Sequence, residues 1–438
     1  MRAMAFTSRT YSPSGREAIP LRSGRVAVAM DTSPFTVRNL SPDEFPAWQE
    51  VIGFAFGGDP RPENMEVWKD RAEFDRYLVA LEGEQMVGTG GAVTFQMTVP
   101  GGATMTVGGV TAIATRPTHR RRGVLTAIMR RLQADARERG ESVSILWAAE
   151  SSIYGRFGYG VAIEECELTL ERAHAALLPA APPEGRLRQL TGAEAQEMIP
   201  AAYPRLVGGI PGALLRTPAD WRLYFHDPES WRDGASTHRY VAYERGGEVA
   251  GYVLYRQKEH WEQAHPRNEV RIGDLQAADG EAYRALWAYC LGIDLVATVK
   301  AWGRPRRDPV TWLLADPRRV QQLPYDGIWL RLLDVAAALA ARRYAVAGEL
   351  VLEVSDAFTP EAGGRFLLRG GPDGAECSRT DREADLRLTS ADLATAYLGD
   401  ARLRDLAWVG RAQGEARAVD LAQTMFSWPV APWCSVEF

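Results

Sequence analysis

Cysteine and histidine are scarce in this chain of 438 residues, which has four of one and six of the other. Cys166, Cys290, Cys377 and Cys434 stand far apart, and no Cys-x-x-Cys, His-x-His or His-Glu-x-x-His pattern occurs. That spacing excludes a zinc ribbon, a zincin helix and a disulfide framework, so no metal is assigned. Four scattered cysteines fit a reducing compartment, and the expected location is cytoplasmic. Long apolar runs are also missing. None approaches the roughly 18–20 residues of a membrane span, so no membrane partner is expected. An excess of positive charge is missing too. The net charge of -5 argues against a nucleic-acid binder as a whole-chain description, and it mildly favours a cationic substrate.

What is present suits a globular protein of two to four domains. Hydrophobic residues make up 46% and charged residues 24%, enough to bury a core. The first 29 residues carry five arginines against one acid, Glu17. Their apolar stretch from Val26 to Ala29 is too short for a signal-peptide core. Residues 1–33 are expected to be a disordered or artefactual extension, with Met30 a more natural start.

Three regions follow. In 34–183, Ser41 with Glu44 three residues on marks a helix start. Strands are expected over 77–81, 85–99, 107–115 and 143–147. A helix follows Gly123, with Leu125, Ile128, Met129, Leu132 and Ala136 on one face and Arg130, Arg131, Arg137 and Arg139 on the wet side. Region 184–324 repeats part of this plan. Val241 to Glu244, a turn at Arg245-Gly246-Gly247 and Glu248 to Tyr252 mirror Val79 to Gly88, and another strand and helix come about thirty residues later. Where the first copy has arginines, the second has Asp279-Gly280-Glu281. Region 325–438 reads as a helix over 328–344, strands over 349–354 and 366–368, and a helix from Ser390. Its aromatic, apolar end is expected to be docked, because free termini are usually frayed and polar.

The chemistry-bearing signal is a strand, then Pro117-Thr118-His119-Arg120-Arg121-Arg122-Gly123, then a helix. The first-turn amides of a helix are unpaired and carry partial positive charge, which suits a pyrophosphate. Gly123 lets backbone approach it, and arginines add charge-assisted hydrogen bonds. A P-loop is ruled out because no Gly-Lys-Ser/Thr follows. Downstream lies Glu150-Ser151-Ser152-Ile153-Tyr154-Gly155-Arg156-Phe157-Gly158-Tyr159-Gly160. A thiolate leaving group benefits from a proton donor, and Tyr154 or Tyr159 could be one.

Arg120 to Leu125 resembles the Arg/Gln-x-x-Gly-x-Gly/Ala pattern of GNAT acetyltransferases, departing at Leu125. Together with Ile153 to Gly160, Ala285-Leu286-Trp287, Gly327 to Arg331, Val351 to Asp356 and the terminal Glu437-Phe438, it is similar to the enhanced intracellular survival (Eis) family of GNAT aminoglycoside N-acetyltransferases. The resemblance implies an α/β (α+β) fold of tandem GNAT domains, the second degenerate, followed by a sterol-carrier-protein-like α/β domain. It implies acetyl-CoA as co-substrate, held by the backbone of Ile113, Ala114 and Thr115. Arg121, Arg122, Gly123, Val124, Leu125 and Thr126 would hold the pyrophosphate, with Ala149 and Glu150 beside it. Tyr154 would be the general acid and the α-carboxylate of Phe438 the general base. Phe56, Trp68 and Glu437 would line the acceptor pocket. The family has an aromatic residue where this chain has Ala112, which implies a differently shaped pocket. The expected acceptor is a small-molecule polyamine or aminoglycoside and the expected assembly a homohexamer. The alternatives are an acetyltransferase for protein lysine or polyamine, and a lipid-binding module without catalysis.

Overall fold

The computed structural model describes residues 34–438 apart from 401. The expectation for residues 1–33 lies outside the described residues. Strand β1 (Thr36–Asn39) leads into a turn where the Ser41 amide donates to the Glu44 carboxylate at 3.1 Å. Helices α1 (Phe45–Phe56) and α2 (Pro62–Arg71) follow, then β2 (Leu78–Glu82), β3 (Gln85–Thr98), β4 (Thr104–Thr115), helix α3 (Val124–Glu138) and β5 (Val143–Trp147). The strands pair in the order β1-β2-β3-β4-β5. All neighbours are antiparallel except β4 and β5, which run parallel because α3 crosses between them. The buried stripe of α3 is Val124, Ile128, Met129, Leu132 and Ala136, with Leu125 only half-buried. Arg137 is not on the wet side as expected. It is half-buried and its Nε donates to the Leu333 carbonyl at 3.4 Å.

The same order recurs. After β6 (Gly160–Val161) and β7 (Glu164–Glu171) come β8 (Arg186–Leu190), α4 (Gly192–Val207), β9 (Leu214–Leu215), α5 (Pro218–Phe225), β10 (Arg239–Arg245) and β11 (Glu248–Lys258). A small ribbon of β12 (Trp261–Glu262) and β13 (His265–Pro266) precedes β14 (Asn268–Ala277), α6 (Gly280–Gly292), β15 (Val296–Pro305) and β16 (Val320–Asp326). The second sheet runs β16-β7-β15-β14-β11-β10-β8, again with one parallel pair, β14 and β15, across a helix.

The helix expected over 328–344 is instead a strand and a short helix. β17 (Ile328–Leu332) slots antiparallel between β5 and β6 in the first sheet, and α7 (Val335–Ala340) starts where the Asp334 carboxylate accepts from the Ala337 amide at 3.0 Å. All five residues of β17 are buried. A segment covered on both faces shows no alternation, so its period could not distinguish strand from helix. The third sheet, β20-β19-β18-β21-β22, is built from β18 (Gly348–Ser355), β19 (Gly364–Gly371), β20 (Gly374–Arg379), β21 (Leu386–Thr389) and β22 (Ala412–Gly414). Helices α8 (Ser390–Ala396), α9 (Leu403–Trp408) and α10 (Ala416–Phe426) complete the unit.

The units interlock. β7 sits in the second sheet, while β9 and β17 sit in the first. Arg331 on β17 and Asp356 after β18 form a fully buried ion pair at 2.8 Å, tying the third unit to the first. After α10 the chain takes no regular structure. It runs back from the third unit between the first two, with Trp433, Cys434, Val436 and Phe438 all buried.

Candidate active site

β4 and β5 separate. Their parallel pairing covers only Gly108 to Val110 against Ser144 to Leu146. Just beyond, Ala112 has φ +55, the register with β3 shifts, and the Thr89 hydroxyl donates to the Ala112 carbonyl at 2.8 Å. Ala114 and Thr115 stay paired with β3 on one side, and among the described residues no strand covers their other edge. Backbone groups on such an edge need partners. An extended, amide-bearing arm laid against Ile113, Ala114 and Thr115 would supply them.

The loop after β4 leads to the second half of the cradle. Pro117 to His119 form one turn, Arg121 has φ +61 and Gly123 has φ +96, a left-handed conformation that glycine adopts without steric cost. Among the described residues no side chain then caps the first amides of α3, whose N-cap is Gly123 itself. These free N–H groups and the helix dipole are the complement of a phosphate. Arg121 is exposed. Arg122 is not free: it pairs with Glu82 at the end of β2, which also bonds His119 Nε2 at 2.9 Å. Arg122 first, and His119 second, hold the Glu82 carboxyl below its usual range. Leu125 and Thr126 lie half-buried in the first turn, and Ala149 and Glu150 are exposed just past β5.

Two tyrosines follow on the turn after β5. Tyr159 is fully buried and bonds Ser144 Oγ at 2.8 Å, so its hydroxyl is committed to the fold. Tyr154 is also buried, but its hydroxyl makes no hydrogen bond among the described residues. Burial first, and then Tyr159, push the Tyr154 pKa up, keeping it protonated at neutral pH.

The tail reaches the same sheet. The Trp147 indole at the end of β5 donates to the Val436 carbonyl at 3.1 Å. The Phe438 ring lies 5.0 Å from that of Phe95 on β3. A Cβ on Gly109 would come within 2.8 Å of the Phe438 ring, so this glycine makes the room. Ala112, Ala114, Val436 and Phe438 belong to one apolar cluster, and Phe56 and Trp68 pack against it, half-buried. Glu437 is half-buried next to them in the chain. Gly109, Phe95 and Trp147 were not singled out from the sequence. Only Gly109 carried a local signal there, as part of a glycine pair inside a strand.

The second copy lacks this cradle. The Asp279 side chain caps α6, accepting from the Ala282 amide at 3.0 Å, and Glu281 stands in the first turn. The Leu275 carbonyl on β14 is taken by the buried Arg304, at 2.8 Å. Acids at a capped helix start repel phosphate, so this copy has the fold without the anion site. Among the described residues there is no cluster of three or more potential metal ligands, and no helix long and apolar enough to cross a membrane.

Comparison with known proteins follows the same division. Residues 36–162 match an acetyltransferase (GNAT) domain, residues 212–332 match another, and residues 335–435 match a sterol carrier protein domain. An uncharacterized N-acetyltransferase from Streptomyces avermitilis is 41% identical over 401 residues, covering 91% of this chain and 98% of that one. The N-acetyltransferase Eis of Mycobacterium tuberculosis is 32% identical over 393 residues, covering 86% and 93%. Among solved structures, Eis1 from Mycobacterium abscessus superposes with a TM-score of 0.80 at 32% identity, covering 92% of this chain and all of that one.

Proposed function

We propose, for a chain that belongs to the Eis family of GNAT N-acetyltransferases, that it moves the acetyl group of acetyl-CoA directly to primary amines of a polycationic small molecule, an aminoglycoside in the leading reading. Residues 34–183 form the catalytic domain, 184–324 the degenerate copy and 325–438 the domain that supplies the C-terminal carboxylate. The observation that carries the reading is the convergence of three features on one sheet: the open edge of β4, the uncapped start of α3 and the buried Phe438.

Acetyl-CoA supplies the acetyl group as an activated thioester. The backbone of Ile113, Ala114 and Thr115 would hold its arm. Arg121, Gly123, Val124, Leu125 and Thr126 would hold the pyrophosphate, and Arg122 would do so by exchanging Glu82 for phosphate. Ala149 and Glu150 would border it. As the amine nitrogen bonds to the acetyl carbon and the carbon–sulfur bond breaks, the Phe438 carboxylate takes the proton leaving nitrogen. Tyr154 gives its proton to the departing sulfur. Phe56, Trp68 and Glu437 would line the acceptor side. An α-carboxyl is a weak base at neutral pH in water, and burial strengthens it by disfavouring the charged form. The reading includes a cytoplasmic homohexamer.

The test is acetyl-CoA turnover with kanamycin, spermidine and a histone-like peptide as acceptors. The expected order places kanamycin first by kcat/KM. Turnover confined to the peptide would replace the acceptor class, and lipid bound without acetyl-CoA affinity would replace the enzyme reading altogether.

A further inference from the structure

The second domain kept its fold while losing its anion site, and its central strand has gained a different occupant. Gly88 pairs with Thr115 in the first copy and Gly251 with Ala277 in the second. Counting from these pairs, Gln276 stands where the first copy has Ala114, and Asp274, which pairs with Leu254, stands where the first copy pairs Thr111 with Gly91. Where the first copy carries an alanine and a threonine, the second carries an amide and a carboxylate, both buried. Buried polar groups need partners. Theirs are each other, Arg216, two tyrosines and the chain's own C-terminal tail.

Gln276 Nε2 donates to Asp274 Oδ1 at 2.8 Å and to Ser435 Oγ at 2.9 Å. Arg216 lies 3.5 Å from Asp274 Oδ2 and donates to the Ser435 carbonyl at 3.1 Å. The Arg216 guanidinium is enclosed by the rings of Tyr203, Trp221 and Tyr224, at 4.4, 4.9 and 4.5 Å. Tyr252 and Tyr224 donate to Asp274 Oδ2 at 2.9 and 3.2 Å, so the carboxylate itself is locked. Upstream, the Trp433 indole donates to the Gly303 carbonyl at 2.7 Å and lies against Arg304 at 4.6 Å. Tail residues Trp433 and Ser435 aside, every one of these groups lies within 184–324, the second domain. Only Val436 and Glu437 lie between Ser435 and Phe438, a reach of about 10–11 Å at most. A clamp on Ser435 therefore fixes where the terminal carboxylate can lie.

We propose that Arg216, Asp274 and Gln276 are positioning residues for the acetyl transfer. The degenerate domain's former acyl-CoA strand holds Ser435, and through it the terminal carboxylate, at the active site of the first domain. The proposal rests on the reading of that carboxylate as the general base. On this account the second GNAT copy serves to bind the chain's own tail.

The test compares full-length wild type with Arg216→Met/Asp274→Leu, which removes both buried charges together, and with the milder Ser435→Ala and Gln276→Leu. A chain extended by one residue beyond Phe438 tests the base reading separately. Two readouts are taken on variants whose thermal melts show them folded: kcat against the KM for acetyl-CoA, and the rate at which carboxypeptidase releases Phe438, followed by mass. The expected result is a kcat lower by roughly 100-fold for the double variant, since a misplacement near 1 Å suffices for that, with the acetyl-CoA KM unchanged. Phe438 is then released faster, and the milder variants show the same split to a smaller degree. A tail that stays protected with wild-type kcat in all three variants overturns the clamp. A released tail with wild-type kcat overturns the proposal through the base reading instead, and the extended chain then shows the same undiminished kcat.

Discussion

The ring of Phe438 meets the ring of Phe95 at 5.0 Å between centroids, joining the last residue of the chain to the C-terminal part of β3. Gly109, on the neighbouring strand, would crowd both rings if it carried a Cβ, at 2.7 Å from Phe95 and 2.8 Å from Phe438. Its backbone is not left-handed, so a substitution there acts through crowding alone. Gly109→Ala is expected to push the tail off the sheet at a stability cost of about 1–3 kcal/mol, and to lower kcat while leaving acetyl-CoA affinity intact. Calorimetric melting with steady-state kinetics checks this. Wild-type kcat in the variant would show that the ring contact has no bearing on the reaction.

Tyr154 holds a proton that nothing else in the described structure engages, whereas Tyr159 spends its hydroxyl on Ser144. Tyr154→Phe is therefore expected to lower kcat by roughly 10²–10⁴-fold without changing acetyl-CoA binding. Tyr159→Phe, removing one buried hydrogen bond, is expected to cost about 1 kcal/mol of stability instead. If the two variants lose activity equally, the assignment of the acid to Tyr154 fails.

One acetyl-CoA per chain is expected by titration calorimetry. The first copy has an uncapped helix start after arginines, and the second has Asp279 and Glu281 at the same place. Arg121→Ala should weaken binding roughly 10-fold, the worth of a charge-assisted hydrogen bond. Two sites per chain, or one that ignores Arg121, would contradict the account of the loop.

Some of this was legible in the sequence because it is local. Strand ends, Gly123 at the helix start and the apolar stripe of α3 follow from spacing within one segment. The docked tail showed in its apolar composition. β17 was read as helix because an evenly buried run has no period, and its place between β5 and β6 is a long-range fact. The engagement of Arg122 by Glu82 spans 40 positions, and the approach of Arg216 and Gln276 to Ser435 spans 219 and 159. No local pattern encodes such pairs, because the fold alone brings them together.

His238 offers a check on the second domain through pH. Burial first, and then Arg256, push its pKa from 6.5 down to about 4, against the opposing pull of Asp227. The unfolded chain binds a proton at this residue below 6.5, and the folded chain does not until about 4. The folded state therefore loses stability as pH falls through that window. His238→Gln should flatten the slope, with wild type losing about 2 kcal/mol more than the variant between pH 7 and pH 5 in urea unfolding. Equal slopes would mean that the imidazole is as free in the fold as in water.

The most direct measurement is the kcat for acetylation of kanamycin by the native chain and by the same chain extended by one glycine beyond Phe438. The extension leaves every side chain in place and moves only the terminal carboxylate, by one residue. The account predicts a fall of about 100-fold or more in kcat with acetyl-CoA binding unchanged. An extended enzyme that turns over at the native rate would contradict it.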